Sequence, residues 1–599
     1  MIDNTGYILG ISRGHNAGAC LLKDGKIIFS LEEERLTRQK YDGGPYAAML
    51  KVKEYTDKLD YIFISHTQAL DQTAGKVDYS GENVYTGLAR KMGLIDRKAN
   101  LINHPQVIDL SHSHHKIHAA CAFYRSGFDD AVAVVIDGAG TVYPAQFAQE
   151  QIALWETETI FDCSYPANFK TLYKHLGCRD SIVSFYDNDC SSEKYNEEGT
   201  HNELITGNAG ITKVYEAVTE YCGFSAIEAG KTMGLFPYGK KNSNIPELFT
   251  RSQVAPISDR NVIVPRYPNG AMVNSQVYSE LQNGDSEDLT LLQNRRDLAY
   301  ACQTQTQDMA LDVIIKAVKL SGKKKVVFSG GYALNCVANY YFLNRLNEEG
   351  IEIFIEPISN DGGTAIGVAL WGYYETSQSS EKLNGRDIYL GPEYNYEQSD
   401  IEALAEQYGA IVEDADDDKV IETMRNKNIV ALFQGRSENG PRALGNRSLM
   451  FDPTFKDGKD FVNEIKRREY FRPFAGSILA EDVHEWFDLR GMEDSPHMMY
   501  AVSCKDGVEE KIPSIIHVDG SCRIQTVSKE DNPIYHRIIS KFKEETGVPI
   551  IFNTSFNLGG EPLVETLEDC LWTLQQSDIQ YLYLPEYGKM LTVPNIKVI

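Results

Sequence analysis

The apolar positions of this chain open on a two-residue alternation. GYILGIS and then ACLLKDGKIIFSLEEER read as one strand followed by two more, joined at Asp24-Gly25, a dipeptide suited to a type I′ hairpin. A comparable run recurs at AVAVVIDGAG (131–140) followed by QIALWETETIF: a buried apolar strand ends in Asp-Gly and leads into further strands. The recurrence predicts an internal duplication. Between Leu298 and Leu320 the period lengthens, with Leu298, Cys302, Met309, Val313 and Ala317 at helical spacing and Gly322 where a helix would stop. KKVVFSGG (324–331) returns to a strand, and ISNDGGTAIGVAL predicts an acidic-glycine turn and then a helix through Trp371.

The polar, Ser-rich run ETSQSSEKLNGRD (375–387) lacks periodicity and marks a boundary between a domain at 1–375 and one at 376–599. Beyond it, Ser399 and Glu402 stand at capping-box spacing before a helix, and IVALFQGR and VPIIFNTSFN read as core strands. Both domains are therefore expected to be α/β. Residues 180–208 are polar and read as a surface loop or lid.

Composition narrows the function. The 599 residues carry 59 Lys plus Arg against 85 Asp plus Glu, a net charge of −26 that would repel nucleic acid or an anionic membrane. No apolar run reaches the length of a membrane span, and the N-terminus lacks a basic region followed by an apolar one. Eleven cysteines without a C-x-x-C pair signal neither a disulfide framework nor a thiolate zinc site, so a reducing cytoplasm is the expected home.

Three groups of residues can do chemistry. In SHSHHKIHAA, His114 and His118 lie one helical turn apart on one face and can chelate one divalent cation, although a His-rich surface helix has the same spacing. Asp137 and Asp361 end predicted strands beside glycines, and Asp361 is the preferred third ligand; the donor set suits Fe(II), Zn or Mn alike. The turns Gly138-Ala139-Gly140, Gly330-Gly331 and Gly362-Gly363 offer backbone N–H groups to a nucleotide's phosphates, though turns use glycine without any ligand too. In the second domain nine basic residues face six acidic ones between Arg436 and Arg472. Arg442, Arg447, Arg468 and Arg472 near Lys466 describe a small-anion pocket better than an extended nucleic-acid face, with Arg523 and Asn553 as further anion- or carbonyl-binding groups.

EERLTRQK, HHKIHAACAFYRSGFDDAVAVVIDGAG, KTMGLFPYGK, SGGYALNCVAN, SNDGGTAIG, GPRALGNRS, YFRPFAGSIL, HVDGSCRIQTV and NTSFNLGGEPLVET, in this order, resemble the O-carbamoyltransferases of nodulation and antibiotic biosynthesis. The resemblance implies an N-terminal domain of the actin, Hsp70 and sugar-kinase class, similar to the tRNA threonylcarbamoyl transferase, and a C-terminal domain similar to its carbamoyl-adenylate-forming partner. It further implies metal ligation by His114, His118 and Asp361, with Asp137 beside metal and nucleotide. Lys231, Gly234, Gly330, Gly331, Asn335 and Gly362 would contact ATP, with Mg²⁺ accompanying it, and Fe²⁺ becomes the first choice for the resident metal. His15, as general base, and Lys40 would face the acceptor and the carbamoyl group. Arg442, Lys466, Arg468, Arg523 and Asn553 would hold carbamoyl phosphate, with Arg442 catalytic. RGHNAG after the first strand and Phe236 in GLFPYG depart from the family pattern on the acceptor side.

The expected activity is thus ATP-dependent transfer of a carbamoyl group from carbamoyl phosphate to a hydroxyl of a small molecule. Two other readings stand beside it: threonylcarbamoylation of tRNA, which the charge disfavours, and an actin-like ATP switch, which has no need of a basic anion pocket. The acceptor's identity is not legible, and a homodimer is an assembly the sequence leaves open.

Overall fold

The hairpin dipeptide acts as expected: Asp24 and Gly25 both have positive φ (51° and 78°), the combination a type I′ turn requires. It joins β2 (Gly18–Lys23) to β3 (Lys26–Glu32), and β2 also pairs antiparallel with β1 (Tyr7–Ser12). Two parallel strands, β4 (Tyr61–Ser65) and β5 (Val107–Asp109), extend the sheet on the other side of β1, giving the order β3-β2-β1-β4-β5.

The computed structural model describes residues 6–66, 83–97, 104–147, 150–178, 194–195, 200–205, 210–245, 248–251, 263–265, 289–382 and 385–594. Most of the polar 180–208 stretch lies outside the described residues, apart from 194–195 and 200–205.

The same topology recurs. β6 (Asp130–Ile136) pairs antiparallel with β7 (Glu150–Ser164), which pairs with β8 (Asn168–Cys178); β9 (Lys325–Ser329) and β10 (Glu352–Ile355) then add in parallel beside β6. The order β8-β7-β6-β9-β10 repeats that of the first sheet. This is the duplicated actin-like arrangement, so the internal repeat read from the two Asp-Gly strands is present in the backbone. Ala131 to Ile136 of β6 are wholly buried, each branched side chain contributing about 1.5–3 kcal/mol.

Helix α1 (His114–Ser126) precedes β6, α2 (Leu289–Ser321) precedes β9, and α3 (Gly362–Ser377) follows β10. Helix α2 begins nine residues before Leu298, because the leucines of its first turn are cut off from the apolar period by the polar run QNRRD (293–297); it stops at Gly322 (φ 71°), as expected. Helices α1 and α3 pack against each other closely enough that a Cβ on Gly367 would lie 2.3 Å from the Ile117 carbonyl. Only glycine fits there.

Two compact units emerge, Met1–Glu33 with Asp42–Asp387, and Glu34–Tyr41 with Ile388–Ile599. The division expected at 375/376 falls instead at 387/388, the far end of the polar run. A linear reading had no means of assigning residues 34–41 to the second unit, since they join it only by tertiary contacts.

The second unit is built on a ten-stranded mixed sheet. Its strands in chain order are β11 (Ile411–Asp414), β12 (Val430–Phe433), β13 (Arg447–Phe451), β14 (Ala475–Leu479), β15 (Phe487–Asp488), β16 (Ala501–Cys504), β17 (Ser521–Val527), β18 (Ile550–Ser555), β19 (Tyr581–Leu584) and β20 (Lys589–Thr592), and their spatial order is β11-β20-β19-β12-β13-β18-β14-β17-β16-β15. The two runs expected as core strands are β12 and β18. The capping box expected at Ser399 and Glu402 is misplaced: α4 (Gln398–Tyr408) starts earlier, and its reciprocal cap is made by Glu397 and Asp400. Both pairs have the same spacing, but only Glu397 has the extended backbone an N-cap needs (φ −83°, ψ 162°).

Candidate functional site

The His-rich helix is not a surface helix. His114 and His118 are buried at 1% and 0% exposure, at the start of α1, whose one-turn spacing brings both Nε2 atoms to one point, 3.1 Å apart. Asp137, just past β6, places Oδ2 3.3 Å from His114 Nε2 and 3.9 Å from that of His118. Asp361, just before α3, places Oδ1 at 3.5 and 3.4 Å from the same two nitrogens. One ligand atom from each of the four residues lies within 4.8 Å of the others. A cation bonded at about 2.0–2.2 Å to N and O donors spaces neighbouring donors by roughly 3.0–3.5 Å, so the constellation has the size of a metal site. Without a cation, protons must balance the carboxylates. Burial would lower the His114 pKa, but Asp361 and Asp137 outweigh it and raise it to about 10, while both carboxylates are held below their usual range.

Other expected residues converge here in part. His15, half exposed, sits with Nδ1 3.7 Å from Asp361 Oδ2 on the open side of the cluster. The N–H of Gly331 donates to Asp137 Oδ1 (2.8 Å), tying the glycine turn after β9 to the acid after β6. Gly330 takes φ 89° with the Ile136 carbonyl 2.4 Å from where a Cβ would be, so a side chain is excluded twice over. Gly362 opens α3 beside Glu32, whose carboxylate also accepts from the Asn360 amide (2.8 Å). Asn335 caps helix Cys336–Glu348 through the Ala338 N–H (3.1 Å) and bonds Gln303. Lys231 pairs with Glu228 (2.8 Å) on helix Ala229–Leu235, which also carries the buried Gly234. Lys40 lies in the 34–41 segment of the second unit, paired with Glu34 at 2.7 Å.

Behind the histidines lies a network the sequence did not announce. The Thr141 hydroxyl accepts from the His114 N–H (3.2 Å), and Glu156 accepts from the Thr141 N–H (2.9 Å). Lys174 pairs with Glu156 at 2.6 Å. Burial raises the Glu156 pKa, but His115 and Lys174 prevail and hold it down to about 2; His115, buried and bonded to Thr159, is pulled down to about 4. Farther along α1, Arg125 forms a fully buried ion pair with Glu356 at 3.0 Å. These partners are 15 to 231 residues apart in sequence, so no local pattern could have found them.

In the second unit, α5 (Gly458–Ile465) delivers Lys466, which is fully buried and donates to the Ser555 carbonyl and to Asn557 Oδ1 (3.2 Å). Arg468 reaches Ser555 Oγ at 3.4 Å. Burial, then Arg468 and Arg472, push the Lys466 pKa well below its usual value; burial, Arg472 and Arg523 push Arg468 down to about 9. Lys466, fully buried, and Arg468, Arg472 and Arg523, partly buried, therefore crowd one place. Sheet register aligns Arg523 on β17 and Asn553 on β18 with the same residue of β14, Ala475. The Asn553 amide nitrogen bonds the Ala443 carbonyl (3.2 Å) and Ser477 Oγ (2.9 Å), so it anchors the loop that carries Arg442.

Arg447 departs from the expected pocket. It is fully buried, donates to the carbonyls of Gln434, Gly435, Asn446 and Glu565 at 2.6–3.2 Å, and lies 3.9 Å over the Phe433 ring. All three of its nitrogens bond backbone carbonyls, and the residue holds the loop rather than an anion. Glu438, which sequence reasoning passed over, accepts from the N–H groups of Leu444, Asn446 and Arg447 at 2.7–3.2 Å and closes the same loop.

Among the described residues no helix is long and apolar enough to cross a membrane. The nodulation protein NolNO of Sinorhizobium fredii is 28% identical over 96% of this chain and 78% of its own length, and NolO of Bradyrhizobium diazoefficiens 30% identical over 78% and 77%. The 3'-hydroxymethylcephem-O-carbamoyltransferase of Streptomyces clavuligerus is 32% identical over 42% of this chain and 46% of its own. Residues 46–370 match the family description carbamoyltransferase N-terminus, and residues 421–589 match carbamoyltransferase C-terminus, covering the four-donor cluster in one case and the buried cations in the other. On this evidence the chain belongs to the carbamoyltransferase family of transferases.

Proposed function

We propose that this protein transfers a carbamoyl group from carbamoyl phosphate to a hydroxyl of a small-molecule acceptor, using ATP and passing through carbamoyl adenylate. The observation that carries the reading is the crowding of Lys466, Arg468, Arg472 and Arg523 in a chain of net charge −26. A buried lysine and three partly buried arginines brought together are costly unless a polyvalent anion neutralises them, and a phosphate monoester does so with the fork geometry arginine favours.

In that pocket water hydrolyses carbamoyl phosphate to carbamate and phosphate, with release of a proton. A carbamate oxygen then attacks the α-phosphorus of ATP, forming the carbamoyl–adenylate P–O bond as pyrophosphate leaves. At the four-donor cluster the acceptor oxygen attacks the carbamoyl carbon and AMP departs with the bonding pair. His15 takes the hydroxyl proton in this reading, and the turns at Gly330-Gly331 and Gly362 leave room for the nucleotide to approach the backbone. His114, His118, Asp361 and Asp137 are the residues that would hold a divalent cation, Fe²⁺ by family likeness, which when bound supplies Lewis-acid stabilisation of charge. The oxygen and nitrogen donors, their burial and their spacing fit such an ion.

Radiolabelled carbamoyl phosphate is incubated with ATP and Fe²⁺. Pyrophosphate and labelled carbamoyl adenylate are expected; if neither forms, the mechanism fails. Arg442→Ala abolishes adenylate formation, whereas His118→Ala spares it and stops transfer.

A further inference from the structure

We infer that residues 34–41 are a working part of the second unit's anion pocket, with Arg35 and Arg38 as positioning residues that set its affinity for carbamoyl phosphate. The inference rests on the adenylate-forming role proposed above and adds to it a segment separated from the rest of that unit by residues 42–387.

The segment is closed on itself. Glu34 holds Lys40 Nζ (2.7 Å) through one oxygen and the Tyr41 N–H (2.9 Å) through the other, so it docks as one compact turn. Arg35 is 3% exposed, and its Nη2 donates to the carbonyl of Gly440 at 2.9 Å. Gly440 stands two residues before Arg442. The far end of that loop is fastened by Glu438 and Arg447, but residues 440–443 lie beyond these ties. Two side chains fix that stretch, one on each side of Arg442: Asn553 at the Ala443 carbonyl and Arg35 at Gly440.

Arg38 performs the same service for the opposite loop. Its Nη1 and Nη2 donate to the carbonyls of Leu563 (2.7 Å) and Pro562 (3.1 Å), with Nε 3.6 Å from Asp569. This stretch begins at Ser555 and Asn557, the two residues that receive the Lys466 amine, and Asn557 in turn bonds the Glu561 carbonyl at 2.7 Å. Lys466 thus fastens the start of the loop and Arg38 its end. Each arginine spends its charged hydrogen bonds on carbonyls of a loop bearing pocket groups. Such bonds are about twice as strong as neutral ones and directional, which suits the holding of a turn.

The test uses the full-length chain and measures pyrophosphate release as a function of carbamoyl phosphate and of ATP, together with calorimetric binding of inorganic phosphate. Loss of the Arg35 bond to Gly440, or of the two Arg38 bonds to Leu563 and Pro562, is expected to raise KM for carbamoyl phosphate and the phosphate Kd about tenfold or more in Arg35→Ala and Arg38→Ala. KM for ATP stays within about twofold, and Arg35→Lys, which keeps a charged donor, recovers part of the loss. Arg345→Ala, at an exposed side chain of the first unit, serves as the control. A purely structural role would lower melting temperature or soluble yield and leave KM and Kd of the folded protein at wild-type values; that result overturns the inference. Should Arg35→Ala fail to fold, Arg38→Ala and Arg35→Lys decide it by the same criterion. If Arg442→Ala leaves pyrophosphate release intact, the adenylate reading itself falls; if Arg442→Ala abolishes release while both segment variants match wild type, only the present inference does.

Discussion

Replacing Glu356 by Ala probes what aligns the two elements that carry the metal-binding candidates. Both Glu356 oxygens accept from Arg125 Nε at 3.0 and 3.2 Å, and one also accepts from the Ile358 N–H at 2.9 Å. Arg125 lies on α1 with His114 and His118, and Glu356 lies five residues before Asp361. Both side chains of the pair are wholly buried. Breaking a buried pair by removing one partner costs about 3–5 kcal/mol, since the surviving charge is left without compensation. The Ile358 N–H loses its acceptor as well, worth a further ~1–3 kcal/mol if no water replaces it. Distance alone would mislead here. Arg345 and Glu349 approach to 2.6 Å, but the arginine is 54% and the glutamate 27% exposed, and such a pair contributes about 0–1 kcal/mol. Two units do not unfold as one transition, so the assay is differential scanning calorimetry that follows the transition raised by added divalent metal, which reports the first unit. Glu356→Ala should lower that transition by roughly 5–10 °C and weaken metal binding, while Glu349→Ala should move it by about 1 °C or less. Equal shifts for the two variants, or a wild-type transition in Glu356→Ala, would refute the reasoning from burial.

Three other outcomes follow from the site geometry. His118→Ala and Asp361→Asn should each lose bound divalent metal in elemental analysis of purified protein, with carbamoyl transfer falling by about 10²-fold or more. His114 must release its proton to bind a cation, and its pKa of about 10 in the metal-free site means metal affinity rises with pH, about tenfold per unit below that value; calorimetry in buffers of different ionisation enthalpy would detect the released proton. Lys466 runs the other way: its lowered pKa means the cation is lost as pH rises, so affinity for sulfate, whose own charge is constant, should fall with rising pH in the wild type and less in Lys466→Met, read by calorimetry.

Much of this protein is legible in one dimension because its determinants are local. The Asp24-Gly25 turn, the paired Asp-Gly strands and the H-x-x-x-H spacing each involve residues within a few positions of one another, so strand, hairpin and the shared face of α1 follow from sequence. The basic cluster between Arg436 and Arg472 was visible as composition, but composition could not say which arginines face a ligand. Arg442 stands in a loop and Arg447 opens β13 five residues later, yet all three nitrogens of Arg447 bond backbone carbonyls, an assignment that depends on residues 434 and 435 just after β12 and on residue 565. Similarly, the capping-box spacing occurs twice near residue 399, and only the backbone conformation at Glu397 selects between them.

By itself, the sequence determined the α/β class, the duplicated strand pattern, the acidic balance, the His pair and the family. The tertiary structure alone decided that Asp137 stands as near the histidines as Asp361 does, that Glu356 and Arg125 brace the two elements, and that residues 34–41 belong to the second unit. The physical reason is the same in each case. Backbone periodicity and turn chemistry act over a few residues, whereas a buried charge selects its partner by proximity after the chain has collapsed, without regard to how far apart the two lie in sequence.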